Sequence, residues 1–222
     1  IAGHGQRQYV RGAYAALGAQ YARWTGWDPS WWNFAISSGL PDAARKAGFS
    51  LFLPQSPTGN WSGRHEKICG LIAEARKVTG SVGRLFLAGF SDIARVANSG
   101  PARSPRAIPR QIAGVISYSG QPKNLARWLR EQQLAADAAK EHPPQWPALV
   151  VTNKREGITA RGSEEIASIY KGFGHRVDRM EGDASRVNWV TRRLHHDWDK
   201  RLNREIFDWC REQESRPVWT AL

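Results

Sequence analysis

The strongest constraint on this chain is an alternation: short apolar runs ending in glycine or proline recur between longer segments of helical period. The runs are FSLFLPQ (Phe49–Gln55), GRLFLAGFS (Gly83–Ser91), IAGVISYSG (Ile112–Gly120) and PALVVTNKREG (Pro147–Gly157), and the more polar HRVDRME continues the alternation. The apolar runs read as strands buried on both faces and entering a loop. Between them, HEKICGLIAEARKVTG puts Ile68, Leu71, Ile72 and Ala75 on one face with Glu and Lys opposite, and stops at Gly80. DIARVANSG can start a helix with Asp92 in its first turn, where the helix dipole favours a carboxylate. KNLARWLREQQLAADAAKEH, GSEEIASIYKGFG and LNREIFDWCREQ complete the helical set.

Strands that alternate with helices predict an α/β fold, a mostly parallel sheet flanked by helices on both faces as a three-layer sandwich. Chemistry in such sheets gathers at the carboxyl ends of the strands, here the segments after Gly3, Gln55, Ala88, Tyr118, Thr152 and Met180. PARSPRAIPRQ (Pro101–Gln111) reads as a basic, proline-broken surface loop. There are no internal repeats, and 222 residues predict a single domain over 1–222, with a tryptophan-rich excursion around 24–34.

Composition narrows the class. With 41% hydrophobic and 23% charged residues, whole-chain disorder and fibrous repeats are excluded, and no apolar run reaches the roughly 18 residues of a membrane span. The net charge of +12 is carried mostly by Arg and dispersed along the chain, which favours a basic surface over a dedicated nucleic-acid site. Cys69 and Cys210 both fall in amphipathic helices, where buried free thiols are expected, so they point to no compartment. The start, IAGHGQRQYV, lacks both an initiator Met and a secretory pattern, so a processed or partial product is expected. The oligomeric state is left open.

The sharpest chemical signal is LFLAGFSDIARVA. A serine between a buried strand and a helix, preceded by Gly89, is what a strained nucleophile turn requires: the hydroxyl is exposed and the next N–H points at a developing oxyanion. A serine capping the helix N-terminus is the bland reading of the same residues. This segment resembles the nucleophile elbow of the α/β-hydrolase family, in particular its small esterase and depolymerase-like members. The element order carries the likeness along most of the chain, and Ile93 departs from it where the family motif has its last glycine. The resemblance implies that Ser91 is the nucleophile and that Asp92 supplies one oxyanion N–H.

The start, AGHGQRQ, is similar to the family's His-Gly pair after its third strand. On that likeness His4 and Gly5 shape a loop at the substrate side and Gln6 gives the second N–H of the oxyanion hole. The family usually has two or three strands before this motif, so the expectation is either that those strands are absent from this sequence or that the sheet is smaller.

A serine hydroxyl needs an imidazole to take its proton and a carboxylate to orient that imidazole, completing a catalytic triad. The family order of Ser, acid, His points to Glu156 after PALVVTN, although Lys154 and Arg155 beside it equally suit a solvated ion pair. LHHDWDKRLNREIFDW resembles the family's final Gly-His-x-Trp turn, which makes His196 the base and His195 its rival. Aligning EGDASRVNW there instead leaves no catalytic histidine.

His65, His142 and His175 have no ligand partners at zinc spacing, and neither GxGxxG after a strand nor GxxxxGK[ST] occurs, so no metal or nucleotide cofactor is expected. Trp24, Trp27, Trp31 and Trp32 suit either an aromatic wall for substrate or core packing. Trp61 follows a strand and is the better pocket candidate, whereas Trp128, Trp146 and Trp209 read as core. Two functions follow from the sequence: a serine esterase acting on a small-molecule or polymeric ester, and a catalytically inactive relative binding a polyanion or partner protein through its basic, Trp-rich surface.

Overall fold

A computed structural model describes residues 2–4, 38–52, 68–79, 84–90, 92–103, 112–153, 157–183 and 198–215. In chain order its elements are β1 (Ala2–His4), α1 (Leu40–Ala47), β2 (Leu51–Phe52), α2 (Ile68–Thr79), β3 (Leu85–Phe90), α3 (Asp92–Arg103) and β4 (Ile112–Tyr118). They continue with α4 (Leu125–Ala138), β5 (Ala148–Asn153), α5 (Gly157–Gly172), β6 (Val177–Gly182), a 3₁₀ turn (Lys200–Leu202) and α6 (Asn203–Glu214).

Strands β3 to β6 form a four-stranded parallel sheet whose spatial order is the chain order. That order dictates the layering. When each new parallel strand is added on the same side through crossovers of one hand, the connecting helices all fall on one face. Accordingly Val96 of α3, Leu125 and Leu129 of α4, and Ile166 and Tyr170 of α5 share one core with Leu85, Val115, Ala148 and Val150 of the sheet. The opposite face is covered from outside the run: Leu40 and Ala44 of α1 and Ile206, Phe207 and Trp209 of α6 pack on Phe86, Ile116, Leu149 and Val151. Neighbouring residues such as Val115 and Ile116 thus enter different cores, as the period of two requires. Burial on both faces is why IAGVISY is uninterrupted by charge, and every residue of β4 is buried.

The structure therefore has the expected α/β arrangement, with three differences from the sequence expectation. β1 pairs antiparallel with β2. α3 runs through Pro101 to Arg103, two residues beyond the proline expected to open a surface loop. Pro101 lacks an N–H to donate back along the helix, yet it sits in the final turn, and its carbonyl accepts a hydrogen bond from Gln132 Nε2 at 2.8 Å. Third, α5 begins at Gly157, a turn before the GSEEI segment. Gly162 there is a packing residue: a Cβ on it would lie 2.6 Å from the Gly120 carbonyl oxygen.

The three tryptophans read as core are core. Trp128, Trp146 and Trp209 are buried, and Trp209 lies over Gly114, where a Cβ would meet its ring at 2.6 Å. The Trp209 indole N–H donates to Asp178 on β6 at 2.8 Å, so the ring spans the sheet from β4 to the last strand. Among the described residues no helix is long and apolar enough to cross a membrane.

Candidate functional site

In a parallel sheet all the carboxyl ends lie along one edge, and the register defines it. Phe90 is opposite Tyr118, Tyr118 opposite Val151, and Asn153 opposite Gly182. The segments that leave this edge carry the residues singled out from the sequence. Ser91 follows Phe90 directly, Glu156 immediately precedes α5, and His195 and His196 fall between Asp183 and Trp198. Ser91, Glu156, His195, His196, Gln6, Trp31, Trp32 and Trp61 lie outside the described residues, while Asp92 is the first residue of α3 and His4 the last of β1.

What the structure does describe at this edge is a junction that sequence reasoning missed. The buried Tyr118 hydroxyl donates to Asn153 Oδ1 at 3.0 Å and accepts the Asp199 N–H at 2.9 Å. Its one donor and one acceptor lone pair are both engaged. The Tyr118 ring stacks on Trp198 at 4.4 Å between centroids, and Phe90 meets Tyr118 and Trp198 edge-on at 5.4 and 6.2 Å. Trp198 is anchored in turn by its indole N–H on Asn203 Oδ1 at 2.7 Å. Asn203 Nδ2 reaches back to the Ser38 carbonyl at 2.7 Å, tying the start of α6 to the entry of α1.

Asp199 completes the junction. Its side chain is 6% exposed and accepts four N–H bonds: Arg201 N and Nε on Oδ1, and Arg201 Nη2 and Asp183 N on Oδ2, at 2.7–3.1 Å. Arg201 Nη2 also donates to the Asp183 carbonyl at 2.8 Å. The guanidinium bonds hold the Asp199 carboxyl below its ordinary range against the opposing effect of burial, so it is ionised at neutral pH. The local sequence explains part of this: Asp199 is the N-cap of the 3₁₀ turn, accepting from Arg201 N two residues on.

Beside the junction, the chain leaves β4 under constraint. Ser119 is buried, its φ is +48°, and its hydroxyl has no hydrogen-bond partner among the described residues. Gly120 is pressed against the first turn of α3, where an added Cβ would come 2.9 Å from Ala94 Cβ and 2.7 Å from Ser117 Oγ. The stretch 118–120 therefore packs on both the end of β3 and the first turn of α3, with Tyr118 against Phe90 and Gly120 against Ala94.

The remaining titratable candidates sit elsewhere. His175 is buried at the amino edge, with its ring 4.4 Å from that of Trp146 and its Nδ1 3.1 Å from the Trp146 carbonyl oxygen. Burial lowers its pKa to about 4, so it is neutral and structural. Cys210 is a free thiol on α6 whose pKa burial raises to about 12, which removes it from nucleophilic chemistry. Among the described residues no group of three or more His, Cys, Asp or Glu is arranged to hold a metal ion. Comparisons of this chain with protein-family models, with curated proteins and with solved structures find no match.

Proposed function

We propose that this chain is a serine hydrolase of α/β-hydrolase type that cleaves carboxylic esters through an acyl-enzyme. The observation that carries the reading is the order of segments along the carboxyl edge of the parallel sheet. The segments after β3, β5 and β6 contain Ser91, Glu156 and His196, the order nucleophile, acid, base. In the reaction, Ser91 Oγ attacks the ester carbonyl carbon as His196 takes its proton, and the N–H groups of Asp92 and Gln6 bond the oxyanion. Collapse expels the alcohol, protonated by His196. Water then attacks the acyl-enzyme with His196 as base, releasing the acid and restoring Ser91, while Glu156 holds the imidazole tautomer throughout. Bulky Ile93 in place of the motif's glycine and the long span between β6 and His196 are the features such an enzyme would have to accommodate.

Labelling with a fluorophosphonate, followed by an ester panel, tests this. Covalent labelling of the wild type that Ser91→Ala and His196→Ala abolish, with circular dichroism unchanged, is the expected result. A folded wild type that stays unlabelled sinks the hydrolase. The net charge of +12 supports a second reading, a non-catalytic scaffold that binds a polyanion. That reading predicts heparin or nucleic-acid binding that weakens steeply with salt in an unlabelled protein.

A further inference from the structure

Resting on the hydrolase reading, we propose that Tyr118, Asp199 and Arg201 form the positioning element for the catalytic base. Three observations converge on it. The segment that contains His196 leaves the sheet at Asp183 and returns at Trp198 and Asp199, and these two ends are joined directly. Asp183 N donates to Asp199 Oδ2 at 3.1 Å, and Arg201 Nη2 bridges the Asp199 carboxylate to the Asp183 carbonyl at 2.7 and 2.8 Å. Second, Tyr118 touches all three chain stretches that adjoin the proposed triad. Its ring packs on Phe90, the residue before Ser91, and its hydroxyl bonds Asn153, the last residue of the strand before Glu156. The same hydroxyl accepts the Asp199 N–H, just beyond the segment of His196.

Third, the bonds are directional: the Asp199 carboxylate accepts four N–H bonds, and the Tyr118 hydroxyl donates one and accepts one. What such groups supply is a fixed direction and length for each bond, and a catalytic base misplaced by about 1 Å can lose on the order of a hundredfold in rate. Tyr118 and Asp199 are thus positioning residues acting through the chain on either side of the base.

The experiment uses the full chain and measures the saturation kinetics of fluorophosphonate labelling in wild type, Tyr118→Phe and Arg201→Ala. Tyr118→Phe removes one oxygen from a buried site. Arg201, 66% exposed, can be truncated without opening the core, which keeps the test valid if the tyrosine variant folds poorly. The expected result is a maximal inactivation rate lowered about tenfold or more in both variants, with the half-saturating probe concentration within about twofold of wild type. An unchanged maximal rate in the folded variants overturns the proposal, and so does a loss carried by the half-saturating concentration, which would mean a generally loosened site. A folded wild type that does not label at all overturns the hydrolase reading itself and this proposal with it, an outcome visible before any variant is made.

Discussion

At the amino edge of the sheet, Trp146, His175 and Tyr170 close the approaches to β5 and β6 with packed rings, their centroids 4.4–6.4 Å apart, and the one titratable imidazole is kept neutral. At the carboxyl edge, Tyr118, Asn153 and Asp199 occupy equivalent places but are joined by hydrogen bonds through the Tyr118 hydroxyl and the Asp199 backbone N–H, while Arg201 and the Asp183 N–H hold the buried, ionised Asp199 carboxylate. The amino edge rests mainly on ring packing, with hydrogen bonding between His175 Nδ1 and the Trp146 backbone and from the Tyr170 hydroxyl to Asn98 beside it. The carboxyl edge depends on a network of directional bonds, which tolerates displacement less. The difference separates a part of the molecule devoted to stability from one that holds chain ends in a set geometry, and each half of that contrast can be attacked by mutation.

The largest effect is expected at the amino edge. Trp146 is among the largest fully buried side chains, and Trp146→Ala should cost about 3–5 kcal/mol through lost contacts and a cavity. Urea unfolding would read this as a lowered midpoint. On the hydrolase reading, the comparison requires that fluorophosphonate labelling, normalised to folded protein, stay at the wild-type rate. A large change in that rate would show that the two edges are coupled.

His175 sharpens the contrast through pH. Its pKa falls from an ordinary 6.5 to about 4 in the fold, so between these values the unfolded chain binds a proton that the folded one refuses. Its contribution is fully present above pH 6.5 and is lost as the pH falls toward 4, by roughly 3 kcal/mol in all. Replacement by Phe keeps an aromatic ring against Trp146 and should flatten stability over that window. If His175→Phe and wild type lose stability in parallel from pH 6.5 to 4, the buried neutral imidazole is not the cause.

A smaller effect probes the carboxyl edge without removing any bond. A Cβ at Gly182 would stand 2.6 Å from Asn153 Oδ1 and 2.9 Å from the Tyr118 hydroxyl, so Gly182→Ala must push the two partners apart. Overpacking of this kind costs about 1–3 kcal/mol. On the present account it also slows labelling, unlike Trp146→Ala, whose loss is confined to stability. A Gly182→Ala protein labelled at the wild-type rate would mean that the junction tolerates displacement after all.

How much of this was legible in the sequence depended on the range of the interactions. The sheet was legible because burial on both faces leaves a local mark: Ile112–Tyr118 and Ala148–Asn153 are apolar along most of their length, and the helices between them alternate at their own period. The start of α5 was not, because Gly162 resembles a helix boundary while its reason for being glycine is the Gly120 carbonyl on another element. Pro101 misled likewise, since its partner Gln132 is 31 residues away. At the site, the Tyr118–Asp199 bond joins residues 81 apart and no periodicity announces it. Only the Asp199-x-Arg201 pair, a two-residue capping interaction, could have been found from spacing alone. Ser91, Glu156 and His196 are proposed from a motif and from chain order, and lie outside the described residues.

The finest test of the contrast concerns backbone conformation. Both edges contain a buried or tightly packed turn residue in the left-handed region, but at the amino edge it is Gly174, at φ +78°, and at the carboxyl edge it is Ser119, at φ +48°. A non-glycine residue there carries about 1 kcal/mol or more of strain, and an unpaired buried hydroxyl adds about 1–3 kcal/mol of desolvation. Against this, glycine would restore roughly 0.5–1 kcal/mol of freedom to the unfolded chain. The balance makes Ser119→Gly stabilising by about 1 kcal/mol, whereas Gly174→Ala should destabilise by a similar amount because its Cβ meets Gln145 Nε2 at 2.7 Å in a strained backbone. Opposite signs for the two substitutions in thermal unfolding would locate uncompensated strain at the carboxyl edge alone. A loss of stability in Ser119→Gly would instead mean that the serine hydroxyl is engaged and strengthens the fold, which would erase this part of the distinction between the two edges.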